Sequence, residues 1–198
     1  MEILSKLLGG PARVKILRMF VFNPDEVFDA KDLNARTKVT PPNVRRELNM
    51  LKAIKLVRPK VELRTVGKNK KKINGWQLNP NFSLTEPLRE LLAAEMFPDY
   101  QLIAKRFAGM GKIQGLAIAG VFLRDERGYV DLVVIGENLN RGSIEQTIRS
   151  MEAEIGKELT YAILTTDDFL YRLHSSDKFT RDLFDHPHKF LVDKINIK

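Results

Sequence analysis

An α+β chain of two modules is predicted by three features: three short helical patterns closed by a β-hairpin, a later alternation of strand and helix patterns, and a charge that changes sign between them. Residues 1–82 hold 18 Lys and Arg against 7 Asp and Glu, a net of +11, whereas residues 83–198 hold 15 against 18, a net of −3. A basic module joined to a mildly acidic one points to a part that meets a polyanion and a part with another task.

The elements follow in order. Residues 11–22 place Val14, Leu17 and Val21 on one helical stripe widened by Ile16 and Phe20, with Pro11 suited to the first turn. Asn23-Pro24-Asp25 stops that helix, and Asp29 caps a second one that ends near Lys38. Thr40 stands as N-cap of a third, with Pro41 at its first position and Val44, Leu48 and Leu51 as its apolar stripe. Two extended segments, 57–66 and 73–79, flank Gly67-Lys68-Asn69-Lys70-Lys71-Lys72 and read as a hairpin with a basic tip. Three helices and a hairpin in some 80 residues are the layout of a winged helix-turn-helix.

A boundary falls among Pro80, Pro87 and the polar residues between them, which divides the chain into 1–82 and 83–198. Residues 86–108 read as helix interrupted near Pro98, and strand patterns recur at 113–123, 129–136 and 159–165. An amphipathic helix at 143–157 carries Ile144, Ile148, Met151 and Ile155 on one face; residues 167–184 are again helical, and 189–192 close as a short strand.

Composition excludes several classes. No apolar run approaches the roughly 20 residues that span a bilayer, and Met1–Leu8 lacks the pattern of a secretory signal. The chain has no cysteine, which removes disulfides, thiolate zinc sites and cysteine nucleophiles and fits a cytoplasmic setting.

On the third helix Pro42, Arg46 and Asn49 lie opposite the apolar stripe, with Asn43 and Arg45 on the flanks. Arg matches guanine O6/N7 and Asn matches adenine N6/N7, so this face suits the major groove of double-stranded DNA, with Arg45 placed for a phosphate. Thr40 begins the same surface, and Lys68, Lys70, Lys71 and Lys72 reach phosphates or the adjacent minor groove. Gly9-Gly10-Pro11-Ala12-Arg13-Val14-Lys15-Ile16-Leu17-Arg18-Met19-Phe20, then Pro42–Leu51, Lys55-Leu56-Val57 and Trp76-Gln77-Leu78-Asn79-Pro80 resemble ArsR-like winged-helix domains over residues 8–82. Lys55 stands where that family often has glycine. The resemblance implies DNA binding, and the absence of a cysteine or histidine cluster speaks against metal sensing.

Residues 111–136 look like the core of a minimal nucleotidyltransferase domain. In that fold a strand ends in a Gly-Ser pair, a second strand carries Asp-x-Asp, and a later strand carries a third carboxylate; together they hold a triphosphate and two Mg²⁺ ions. Here Gly120-Val121 stands at the first position, Tyr129-Val130-Asp131 at the second, and Leu159–Leu164, without an acid, at the third. One carboxylate cannot organise two ions, so the resemblance implies a domain without catalytic residues, metal or cofactor. Asp131 reads as a strand-end acid paired to Arg124 or Arg127, Asp167 and Asp168 as helix-start acids, and His186-Pro187-His188 as a cis or kinked turn.

The expected function is therefore that of a DNA-binding transcriptional regulator and homodimer, whose second domain serves dimerisation or a small-molecule or protein effector. Two alternatives stand beside it: an active metal-dependent nucleotidyltransferase modifying a nucleotide, RNA or protein such as a toxin, and an RNA binder using the same basic surface.

Overall fold

A computed structural model describes residues 2–67, 69–94, 96, 100–125 and 127–197. The chain is a mixed α+β protein with two small sheets. Its contacts divide it into two units, Met1–Met96 with Met151–Lys157, and Phe97–Ser150 with Glu158–Lys198. Among the described residues no helix is long and apolar enough to cross a membrane.

The first unit opens with α1 (Glu2–Leu8), which the hydrophobic pattern did not single out, and continues with α2 (Pro11–Phe22), α3 (Ala30–Thr37) and α4 (Pro41–Ala53). Pro11 sits at the start of α2, where its missing N–H removes a donor that has no partner in any helix. α2 is buried almost all round, because Val14, Leu17, Phe20 and Val21 meet Leu33 of α3 and Val44, Leu48 and Leu51 of α4 in one core. Phe20 and Phe28 pack edge to face with ring centroids 5.5 Å apart. α3 begins with a full capping box: the Asp29 carboxylate accepts the N–H groups of Lys31 and Asp32, and the Asp32 carboxylate accepts the N–H of Asp29. Such a cap is worth about 1 kcal/mol.

β1 (Val57–Val66) and β2 (Asn69–Leu78) pair antiparallel. Phe28 adds a single bridge on the other side of β2, exchanging both backbone hydrogen bonds with Trp76 at 2.9 and 2.8 Å. That bridge explains how Pro59 is tolerated in β1. Trp76 points its N–H and C=O towards Phe28, so its β1 partner Pro59 is in a non-hydrogen-bonded pair, and the missing N–H faces outward from the edge. β2 starts at Asn69 and not at residue 73, so Lys70, Lys71 and Lys72 belong to a strand and not to a loop. Their register opposite Thr65, Arg64 and Leu63 leaves only two residues for the turn.

α5 (Thr85–Ala94) follows, with Leu92 buried and Leu88 packed against the same core. Arg18 of α2 lies fully buried and donates to the carbonyls of Leu92 and Glu154, at 2.9 and 2.8 Å, while Asn23 donates to Gly156 O at 2.7 Å. Carbonyls at helix ends lack intrahelical partners, and these two side chains supply donors for them.

The second unit contains α6 (Tyr100–Arg106), β3 (Lys112–Ala119), β4 (Leu132–Glu137), most of α7 (Arg141–Ile155), β5 (Tyr161–Leu164), α8 (Thr166–His174), α9 (Lys178–Asp185) and β6 (His188–Asp193). The expected interruption at Pro98 lies outside the described residues. The sheet runs β5-β4-β3-β6, with β4 and β5 parallel and β3 antiparallel to both neighbours. α7 makes the crossover that a parallel pair requires. Leu132–Gly136 are all buried, the pattern of a central strand covered on both faces. Phe169 of α8 and Leu183 of α9 pack on Ala117, Val133 and Ile135.

Strand bounds in this unit also differ from expectation, and β5 runs Tyr161–Leu164 and not 159–165. β3 ends at Ala119, because Gly120 takes φ 49° and opens a 3-10 turn, Gly120–Leu123. β4 begins at Leu132 and not at 129, since the Tyr129 N–H is used by the Asp182 carboxylate at 2.8 Å. The 167–184 helix is two helices, broken at Ser175–Asp177, where Asp177 caps α9 through the Thr180 N–H.

Candidate nucleic-acid interface

The outward face of α4 is built by the inward one. Val44, Leu48 and Leu51 are buried, which turns Pro42, Arg45, Arg46 and Asn49 to solvent and leaves Asn43 half-buried on the flank. Thr40 takes the N-cap position, and its carbonyl accepts the Val44 N–H at 2.9 Å, but its side chain makes no capping bond. Pro41 and Pro42 leave the first two helical positions without an N–H, and the second of these is one of the two that a side-chain cap bonds.

Glu47 is the residue that stripe reasoning missed. It is only 1% exposed, in the core-facing arc of α4, and its two oxygens hold two arginines. Oε2 accepts Arg13 Nε of α2 at 2.7 Å. Oε1 accepts Arg46 Nε and Nη2 at 3.0 and 2.9 Å. A buried carboxylate is tolerable only when paired and hydrogen-bonded, and this one meets that condition while tying α4 to α2. The same fork restrains Arg46, whose side chain is still 65% exposed, so its outward geometry is set from below. A signal for this was present: Glu47 is three residues from Val44 and so falls within the apolar arc. Its partner Arg13, 34 residues away, was not legible.

On the hairpin, alternation puts Lys70 and Lys72 on one face with Thr65 and Leu63, and Lys71 on the other beside Arg64. Arg64 is committed to the protein: Nη1 donates to Asp32 and Nε to Glu62, both at 2.8 Å, and Nη2 to Val27 O. These bonds raise the Arg64 pKa, the Asp32 bond most. Lys70, Lys71 and Lys72 are exposed, and Lys68 lies outside the described residues. Lys55, at the turn after α4, holds φ 59°, the left-handed conformation that glycine adopts without strain.

In the second unit the positions of the nucleotidyltransferase resemblance converge on Asp131, which uses both its oxygens internally. Oδ1 accepts the Val121 N–H at 2.8 Å and Oδ2 the Thr160 N–H at 2.9 Å. The expected pairing with Arg124 or Arg127 is corrected accordingly, since Arg127 pairs with Asp125 at 2.9 Å. Backbone amides at the ends of β3 and β5 stand nearer to this strand-entry acid than the loop arginine does. A Cβ on Gly120 would lie 2.2 Å from Asp131 Oδ1, so the glycine serves this contact. Tyr129 is exposed, Ala162 is half-buried in β5, and Thr165 caps α8 through the Asp168 N–H.

His186 faces Asp125 through Nδ1 at 3.3 Å and Asp182 through Nε2 at 3.8 Å. The expected cis turn is absent among the described residues, where every peptide is trans. The kinked alternative fits better: the chain bends at His186, whose backbone is extended, between α9 and β6. Arg127, through its side chain first and then its N–H, holds the Asp125 carboxyl down to about 2. No group of three or more His, Cys, Asp or Glu that could hold a metal ion occurs among the described residues. No protein-family model matches the chain, and neither the curated proteins nor the solved structures include one detectably similar to it.

Proposed function

We propose that the first unit is a winged helix-turn-helix of ArsR-like type that binds double-stranded DNA, and that the chain is a transcriptional regulator. The observation that carries this reading is the exposed α4 face of Pro42, Arg45, Arg46 and Asn49, braced from beneath by buried Glu47. A side chain pre-set by a buried partner loses less freedom on meeting a base edge. The single Phe28 bridge beside the hairpin, and the lysines of β2, support the same reading. A short two-fold site implies a homodimer.

The second unit is then a nucleotidyltransferase-like domain without catalytic function, acting as a dimerisation, effector or partner platform. Support comes from Asp131, whose oxygens are occupied by Val121 and Thr160 N–H groups, and from the absence of acids at Tyr129 and Ala162.

Selection from a random duplex library with the whole chain tests the proposal, and a shared site should emerge. Binding should weaken with salt at a log–log slope of about −0.9 per phosphate contacted. Replacing Lys70, Lys71 and Lys72 together by Ala should flatten that slope. A slope unchanged in this variant removes the hairpin from the interface, and failure to enrich any site rejects sequence-specific binding.

A further inference from the structure

An apolar cavity of about 490 Å³ opens in the first unit between α1, α2, the end of α4 and α5. Its volume falls in the roughly 300–1,000 Å³ range of small-molecule sites. Leucines dominate the wall, and several are left in water: Leu7 is 67% and Leu84 59% exposed, and Ile54 and Leu91 are exposed beside them. The wall contains one charged side chain, Arg13, which is 31% exposed. Arg13 spends two of its five N–H donors, Nε on Glu47 and Nη1 on Leu8 O at 3.0 Å. Three donors of a fixed cation therefore remain at the edge of an otherwise apolar hole.

We infer that this cavity binds a free medium- or long-chain carboxylate, the chain among the leucines and the head on the remaining Arg13 donors. The arrangement matches an amphiphile of negative charge: an apolar wall wide enough for a chain, and a single guanidinium suited to a carboxylate. A second copy of this chain fits less well. Packed two-fold on itself, the wall would set leucine against leucine but bring no acceptor to the Arg13 donors that Glu47 and Leu8 O leave unspent.

The site also has a route outward. A carboxylate on Arg13 competes with Glu47 Oε2, and Glu47 then draws more heavily on Arg46, its other cation. Arg46 would then be pulled out of the position in which the present fork braces it for a base edge. This consequence rests on the DNA-binding reading; the cavity assignment does not.

Calorimetry on the full chain without DNA separates the two. Sodium decanoate, kept below its micelle-forming concentration, is expected to bind at one per chain and at least ten-fold more tightly than decanol or decyltrimethylammonium. Arg13→Gln should bring decanoate down to the level of decanol. Because that change strands buried Glu47 and threatens the fold, Leu91→Trp is the second variant, filling the cavity without touching Arg13; it should abolish decanoate binding with helicity retained. Equal binding of the three amphiphiles, or full binding by folded Leu91→Trp, overturns the site. So does absent binding together with a sedimenting dimer that Leu84→Glu dissociates, which would give the wall to a second copy. With decanoate bound, affinity for a selected DNA should fall several-fold; an unchanged affinity overturns the coupling alone.

Discussion

Exchanging Glu47 for Gln keeps the shape of the side chain and removes its charge, which makes it the most informative single change in the first unit. Three hydrogen bonds of 2.7–3.0 Å meet on this carboxylate, and the carboxylate itself is 1% exposed. A hydrogen bond to a charged group in such a place contributes about 1.5–3 kcal/mol. The two arms are unequal, however. Arg46 is 65% exposed, so water screens its ion pair and limits that arm to about 1 kcal/mol at most. Arg13 is 31% exposed and makes the shortest bond, so it carries the larger share. Glu47→Gln should therefore destabilise the chain by about 2 kcal/mol. In a double-mutant cycle by urea unfolding at constant m, Glu47→Gln with Arg13→Ala should couple by about 1–2 kcal/mol. The cycle with Arg46→Ala should give under about 1 kcal/mol. If Arg13→Ala and Glu47→Gln add within about 0.5 kcal/mol, the carboxylate does not tie α4 to α2 and the argument fails.

Four other outcomes are expected. Lys55→Gly should raise stability by about 0.5–1 kcal/mol, because the left-handed backbone at φ 59° costs a lysine roughly 1–2 kcal/mol, part of which glycine returns through its unfolded-state freedom; a lower unfolding midpoint would contradict this. Asp131→Asn leaves one side-chain oxygen for the N–H groups of Val121 and Thr160, so unfolding should become easier by about 1–3 kcal/mol. The wild-type chain should show no Mg²⁺-dependent nucleotide transfer by mass spectrometry, and an added nucleotide that disappears in Asp131→Asn would make the domain an enzyme. Asp125 is held at about 2, below its ordinary 3.8, chiefly by Arg127. A depressed carboxyl stabilises the folded state fully above the unfolded value and loses that contribution as pH falls from about 4 towards 2. Asp125→Asn should flatten stability across that window, and a carboxyl resonance titrating near 3.8 would refute the assignment.

Local chemistry and periodicity are what the amino-acid sequence determined alone. Pro11 and Asp29 mark the starts of α2 and α3, the spacing of Val44, Leu48 and Leu51 defines the inner face of α4, and the isoleucines at 144 and 148 orient α7. These are signals within one or two turns, carried by backbone dihedrals and the 3.6-residue repeat. The tertiary structure decided which polar groups meet. Glu47 finds Arg13, Arg18 finds the carbonyls of Leu92 and Glu154, and Asp131 finds Val121 and Thr160, across separations of 10 to 136 residues. It also moved Lys70–Lys72 from loop to strand, because a cross-strand register sets where a turn can fall. A side chain's residue type says what it can bond; only the packing of distant elements says what lies within 3 Å of it, and a buried charge is bearable only where that packing supplies its partner.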